Sequence, residues 1–250
     1  MIRKSLFGIL IFILLAPYSN AALQITAFSC DGQIGTVNVA NGNTMVCQST
    51  INNPDESTAS ISSVRLYPSG SWLEDSVYTG SGFSTNVNSG ASTTATFSGL
   101  RPTSSGLNNF DSILVDSLTD TFVADTTVNV VDFKSLSAST SASSAATSAT
   151  ITVFADALVG GNLDVTLSIS VSGCSLKSGE TSSKSLGSLS HNSAGSASWQ
   201  LTMSTSTCSY TITATGTKGA VTITSTKSGS VTTSDSGSGS SGSSGSSSSS

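Results

Sequence analysis

Charge is scarce in this 250-residue chain. Asp, Glu, Lys and Arg make up 9% of it, nine basic residues against fourteen acidic ones, for a formal net charge of −5. So sparse and negative a balance repels phosphate backbones and anionic lipid, which disfavours nucleic-acid binding and electrostatic adsorption to membranes. Histidine occurs once, at His191, and no C-x-x-C is present, so the spacing of a zinc site is missing. No G-x-S-x-G precedes a helix, no P-loop occurs, and no dinucleotide-type G-x-G-x-x-G stands between a strand and a helix. Beyond residue 21 there is no Asn-x-Ser/Thr sequon and no sustained 3.6-residue periodicity. No apolar run there approaches the ~20 residues that a membrane span needs.

What is present starts with an address. Arg3 and Lys4 precede the apolar run 6–16, and Pro17, Tyr18, Ser19, Asn20 and Ala21 supply a small-residue exit. Residues 1–21 read as a secretory signal peptide cleaved after Ala21. A pilin-type leader cut at Gly8 would leave only residues 9–16 before Pro17, too short for a fibre core. A lipoprotein would need Cys at the cleavage point, and the first is Cys30. The expected location is therefore extracellular, secreted or at the cell surface. Four Cys in such a compartment read as disulfides. Three pairings of Cys30, Cys47, Cys174 and Cys208 are open, and the local one respects the apparent domain division.

Alternation of apolar and polar residues dominates the rest. Leu163, Val165, Leu167, Ile169 and Val171 share one face of a half-buried strand, with polar residues between them. The same pattern recurs over 151–155, 197–203, 208–214 and 221–224. Gly-bearing turns separate these segments, as in a sandwich. In the first half, Leu23, Ile25 and Ala27 alternate, and Asn41-Gly42 lies between apolar runs, the signal of a hairpin. Parity changes at Ser62-Ser63, which predicts a bulge or a strand switching sheets. Residues 135–147, almost all Ser, Ala and Thr, read as an extended connector. Beyond Asp235 only Ser and Gly remain, a composition that cannot offset the entropy of ordering. The expected fold is all-β: two tandem antiparallel immunoglobulin-like sandwiches at 22–134 and 148–230, and a disordered Ser/Gly tail at 231–250.

Candidate functional residues are few. Trp199 alternates with Leu201 and reads as core. Trp72 lies in the turn-rich stretch 69–75 leading toward Tyr78 and Phe83. There the rings either cap the open edge of a sandwich or are displayed for a ligand, with Trp72 and Tyr78 as the contacts. Asp111, Asp116, Asp120 and Asp125 recur without EF-hand spacing and read as solvated carboxylates. A Ser-His-Asp triad would have to use His191 in a predicted loop, and Glu74 and Asp75 are adjacent, so on a strand they would face opposite ways. No catalytic residue, metal site or cofactor is expected.

Over 37–97 the chain reads Val-x-Val, Asn-Gly-Asn-Thr, Thr-Ile-Asn-Asn-Pro, Val-x-Leu-Tyr-Pro-x-Gly and Ser-Thr-Thr-Ala-Thr-Phe. This resembles the immunoglobulin-like domains of archaeal surface proteins, especially the cell-adhesion-related CARDB-type modules. The second half, with Gly195-x-Ala-x-Trp-x-Leu and Tyr210-Thr-Ile-Thr-Ala-Thr-Gly216, is similar to bacterial and archaeal immunoglobulin-like repeats. In archaeal exoproteins with a PGF-pre-PGF domain, such modules precede a Ser/Gly-rich spacer. The resemblance implies a non-catalytic structural spacer or adhesion module whose partners are other envelope or surface proteins. The alternative is carbohydrate or ligand binding through the aromatics around Trp72, which would make glycans the partners.

Overall fold

A computed structural model describes residues 23–115, 121–122, 126–142 and 147–233. The signal segment 1–21, residues 234–250 of the tail, Asp116, Asp120 and Asp125 lie outside the described residues, and the start of the tail expected at 231 is corrected, because Val231 is buried in the second core and Thr232 ends the last strand. The described chain is all-β, without helix. Its first half contains β1 (Gln24–Cys30), β2 (Thr36–Ala40), β3 (Met45–Asn52), β4 (Ala59–Ser60), β5 (Val64–Pro68) and β6 (Tyr78–Thr79). It continues with β7 (Asn86–Val87), β8 (Ser92–Leu100), β9 (Gly106–Val115) and β10 (Thr121–Phe122), and leads into the long β11 (Thr127–Ala142). The second half contains β12 (Ser148–Leu158), β13 (Asn162–Ser172), β14 (Cys174–Leu176) and β15 (Ser183–Ser190). It ends with β16 (Ala194–Met203), β17 (Thr207–Lys218) and β18 (Val221–Thr232).

The sheets are antiparallel, apart from the parallel pair β2–β11. In the first half, β1-β3-β8 faces β5, β9, β2 and the start of β11. Inward residues of both layers, among them Ile51, Phe97, Leu66, Ile113, Val128 and Val130, share one buried cluster. In the second half, β14-β16-β12-β11 faces β15-β13-β17-β18, and Ile151, Trp199, Leu167 and Ile212 share another. Two layers closing over one apolar core are consistent with β-sandwich packing.

The alternating segments become strands because one face of each is buried: along β13, Leu163, Val165, Leu167 and Ile169 are all buried and the residues between them exposed. The parity change near Ser62 marks a strand switching sheets, since β4 pairs with β7 while β5 pairs with β9 and β6. Asn41-Gly42, by contrast, is not a hairpin turn. β2 bonds to β11 and β3 to β1 and β8, so the turn carries the chain from one layer to the other. Gly42, at φ 79°, still supplies the left-handed conformation that an Asn-Gly pair predicts.

The stretch read as a connector is corrected over residues 135–142, which form the second part of β11. They pair in register with β12, from Ser135 opposite Asp156 to Ala142 opposite Ala149. The reason is that Leu136, Ala138 and Ala142 turn inward against the second core while the intervening serines face out. A register shift between Phe133 and Ser135 flips the parity, so inward residues are odd before it and even after it.

Candidate functional site

The functional interest of the structure lies where the two cores meet, at the first half of β11. Thr127, Val128, Asn129, Val130 and Val131 form a nearly continuous buried run. A strand reads this way when both its faces are covered. Val128 and Val130 enter the first core, and Val131, on the other face, enters the second. Asn129 shares Val131's face and is 1% exposed. Its Nδ2 donates to Asn38 Oδ1 at 2.8 Å and to Gly160 O at 3.0 Å, and its Oδ1 accepts the Gly160 amide at 2.6 Å. One side chain thus ties β2 and the β12–β13 turn to the shared strand, with its hydrogen-bonding groups satisfied, as burial requires. Gly160 is needed there, because a Cβ would collide with Leu107 and with Asn129 itself. Asn41 Nδ2 adds a bond to Asp132 Oδ2 at 2.9 Å.

Sequence reading missed Asn129, although a signal existed: a lone amide inside Val128-Asn-Val-Val131. Asn53 is a second buried amide of this kind. Its Nδ2 donates to Ser57 O and Val87 O at 2.7 and 2.8 Å, and its Oδ1 accepts the Asp55 amide at 3.1 Å, which organises the Asn-Pro turn.

Both disulfides pair locally, Cys30 with Cys47 and Cys174 with Cys208. The first links directly opposed residues of β1 and β3 within one sheet. The second joins β14 to β17 and so crosses between the layers.

Of the two arrangements expected around Trp72, the structure has the rings turned inward and not displayed. Trp72 is 2% exposed and Tyr78 6%. The Trp72 indole meets Phe110 edge-on at 5.3 Å and donates from Nε1 to Asn109 O at 3.0 Å, so its polar atom has a backbone partner inside the fold. Ligand contact through Trp72 and Tyr78 is therefore corrected to core packing. Burial lifts the Tyr78 phenol above the ordinary tyrosine range, against the Asp75 amide that donates to it at 3.1 Å. The neighbouring Asp75 and Glu74 charges push in the same direction as burial. Because the folded state favours the neutral phenol, this contribution to stability is complete below the ordinary value of ~10 and is lost as pH rises through the raised folded value. Urea midpoints measured between pH 8 and pH 12 are expected to fall on the alkaline side, and Tyr78→Phe is expected to flatten that fall.

His191 lies in the turn between β15 and β16. Its Nδ1 is 3.0 Å from Val159 O and 3.3 Å from Val159 N, so the imidazole braces the end of β12. Asp111 is exposed on β9.

No protein-family model matches the sequence, and no curated protein does. Among solved structures, the chain is similar to a secreted serine protease, VesC, from Vibrio cholerae, with a TM-score of 0.31 and 13% identity over 68% of this chain and 46% of that one. It is similar to red sea bream transglutaminase, with a TM-score of 0.32 and 10% identity over 82% and 30% of the two chains. It is also similar to a Salmonella alpha-2-macroglobulin, with a TM-score of 0.26 and 13% identity over 82% and 14%. The chain spans less than half the length of each.

Proposed function

We propose that the chain is an exported, non-catalytic surface protein in which two tandem immunoglobulin-like sandwiches act as a structural spacer or adhesion module. The observation that carries this reading is the joint. A single strand enters both cores, and the Asn129 amide ties both sides to it. Two halves joined in this way hold a fixed separation and orientation, which a spacer needs and a flexible linker does not give. The two disulfides fit an oxidising, non-cytoplasmic compartment. Among the described residues no helix is long and apolar enough to cross a membrane. The resemblance to archaeal surface modules supports other envelope or surface proteins as partners.

Spin labels on cysteines introduced at Thr94 in β8 and Ser196 in β16, both exposed, test the reading. Pulsed dipolar spectroscopy is expected to give one narrow distance distribution, broadened by Asn129→Ala. A broad distribution in the parent protein overturns the spacer. Recovery of the protein outside the producing cell, beginning at Ala22, is the matching expectation for export, and retention in the cytoplasm defeats it.

A further inference from the structure

The outer face of the sheet β15-β13-β17-β18 is a grid of hydroxyls. Along β17 the inward residues Tyr210, Ile212 and Ala214 fill the core, so Thr211, Thr213, Thr215 and Thr217 turn outward. Strand register carries the rows sideways. Thr215 stands opposite Thr166 on β13 and Thr224 on β18, and Thr213 opposite Ser168 and Thr226. Neighbouring strands lie ~4.8 Å apart and outward residues repeat every ~6.7 Å along each strand, so the hydroxyls repeat in two dimensions. Asp164, at one end, is the single ionisable side chain of these outward rows, and Ser188 donates to its carboxylate. At the other end serines predominate and the surface dips into a shallow depression of about 330 Å³ whose lining includes Ser170, Ser172, Ser209, Thr211 and Ser228.

We propose that the threonine part of this face binds ice. A hydroxyl that leaves liquid water for a dissolved ligand exchanges one hydrogen bond for another, with little net gain. An uncharged, shallow hydroxyl surface therefore offers little to a small solute, which needs a concave site and apolar contact. The balance changes when the partner is a solid whose oxygens already occupy fixed rows. All ranks then engage together, and no ordering of the partner has to be repaid. Ice is such a solid, and being uncharged it matches the lack of charge in these rows. The protein side is also fixed in advance. Threonine is stiff about χ1.

The inference does not rest on the spacer reading, and a rigid chain without ice activity leaves that reading intact while sinking this one. The test is thermal hysteresis and ice-recrystallisation inhibition by the purified chain. Growth arrest with faceted crystals is expected. Thr213→Tyr, which puts a bulky ring in the middle of the grid on a strand that tolerates aromatics, is expected to reduce the activity at least about tenfold. Thr224→Tyr on β18 is the second variant should the first fail to fold. Thr152→Tyr, on the outer face of the opposite sheet, is expected to leave the activity unchanged. No hysteresis or inhibition from the parent protein overturns the proposal. So does equal activity in a folded grid variant, or binding that proves to be for a neutral polysaccharide instead.

Discussion

Trp199→Ala is expected to cost about 3–5 kcal/mol, the range for truncating a fully buried large aromatic. The ring is 0% exposed and sits on β16 opposite Ile151 of β12, in the middle of the second core. Its Nε1 donates to Thr181 O at 2.7 Å, and Lys184 Nζ lies 5.4 Å from the ring centroid. Lys184 is itself held by Glu180 at 2.6 Å, and its hydrogen bond draws the Glu180 carboxyl below its usual range. Truncation therefore empties a core volume, orphans the Thr181 carbonyl and removes the ring face beneath the Lys184 ammonium. A loss of this size is a large part of the 5–15 kcal/mol that holds a domain together. Trp199→Phe keeps most of the apolar burial and is expected to lose about 1–2 kcal/mol, mainly for the hydrogen bond. Urea midpoints at unchanged m-value provide the measurement. An alanine variant within 1 kcal/mol of the parent would show that the ring does not hold the core.

The second large effect is expected from Cys174→Ala/Cys208→Ala. In the chain-entropy model, closing a loop of 34 residues contributes about 4 kcal/mol. The 17-residue separation of Cys30 and Cys47 gives about 3 kcal/mol. Topology widens the gap. Cys30 and Cys47 sit opposite each other on strands already bonded to one another, whereas Cys174 and Cys208 link strands of different layers. Calorimetry of the two double variants is expected to show the larger drop for Cys174/Cys208. A larger drop for Cys30/Cys47 would contradict the loop-closure account.

Strands buried on one face were legible before any coordinates. Leu163 to Val171 alternates cleanly because solvent takes every second residue, and Trp199 announces itself as core by alternating with Leu201. Legibility failed wherever a strand departs from that condition. Thr127 to Val131 is covered on both faces, so its alternation vanishes and Asn129 looks like an interruption instead of a clasp. Residues 135–142 alternate, but through Ala, Ser and Thr, whose small contrast in hydrophobicity reads as a linker. Asn41-Gly42 gave the local turn conformation correctly and the partner strands wrongly, because strand pairing is decided by residues nearly ninety positions away. Trp72 was legible as a loop aromatic that either caps a sandwich or is displayed; what decides for capping is Phe110 and the Asn109 carbonyl, which no local pattern encodes.

The shared strand also sets an order of assembly. Synthesis delivers the chain from its N-terminus, so the first core can close as soon as Val130 has emerged, while the rest of β11 must wait for β12. Even then β12 pairs with only one side of residues 135–142, and the other side has no strand partner among the described residues, which leaves an edge of the kind on which chains add to one another and aggregate. Ser135, Ser137, Ser139, Thr140 and Ser141 make it a poor template, since a run so low in bulky apolar side chains builds no dry interface with a copy of itself. The bland composition that disguised this segment as a linker serves as a safeguard for an open edge.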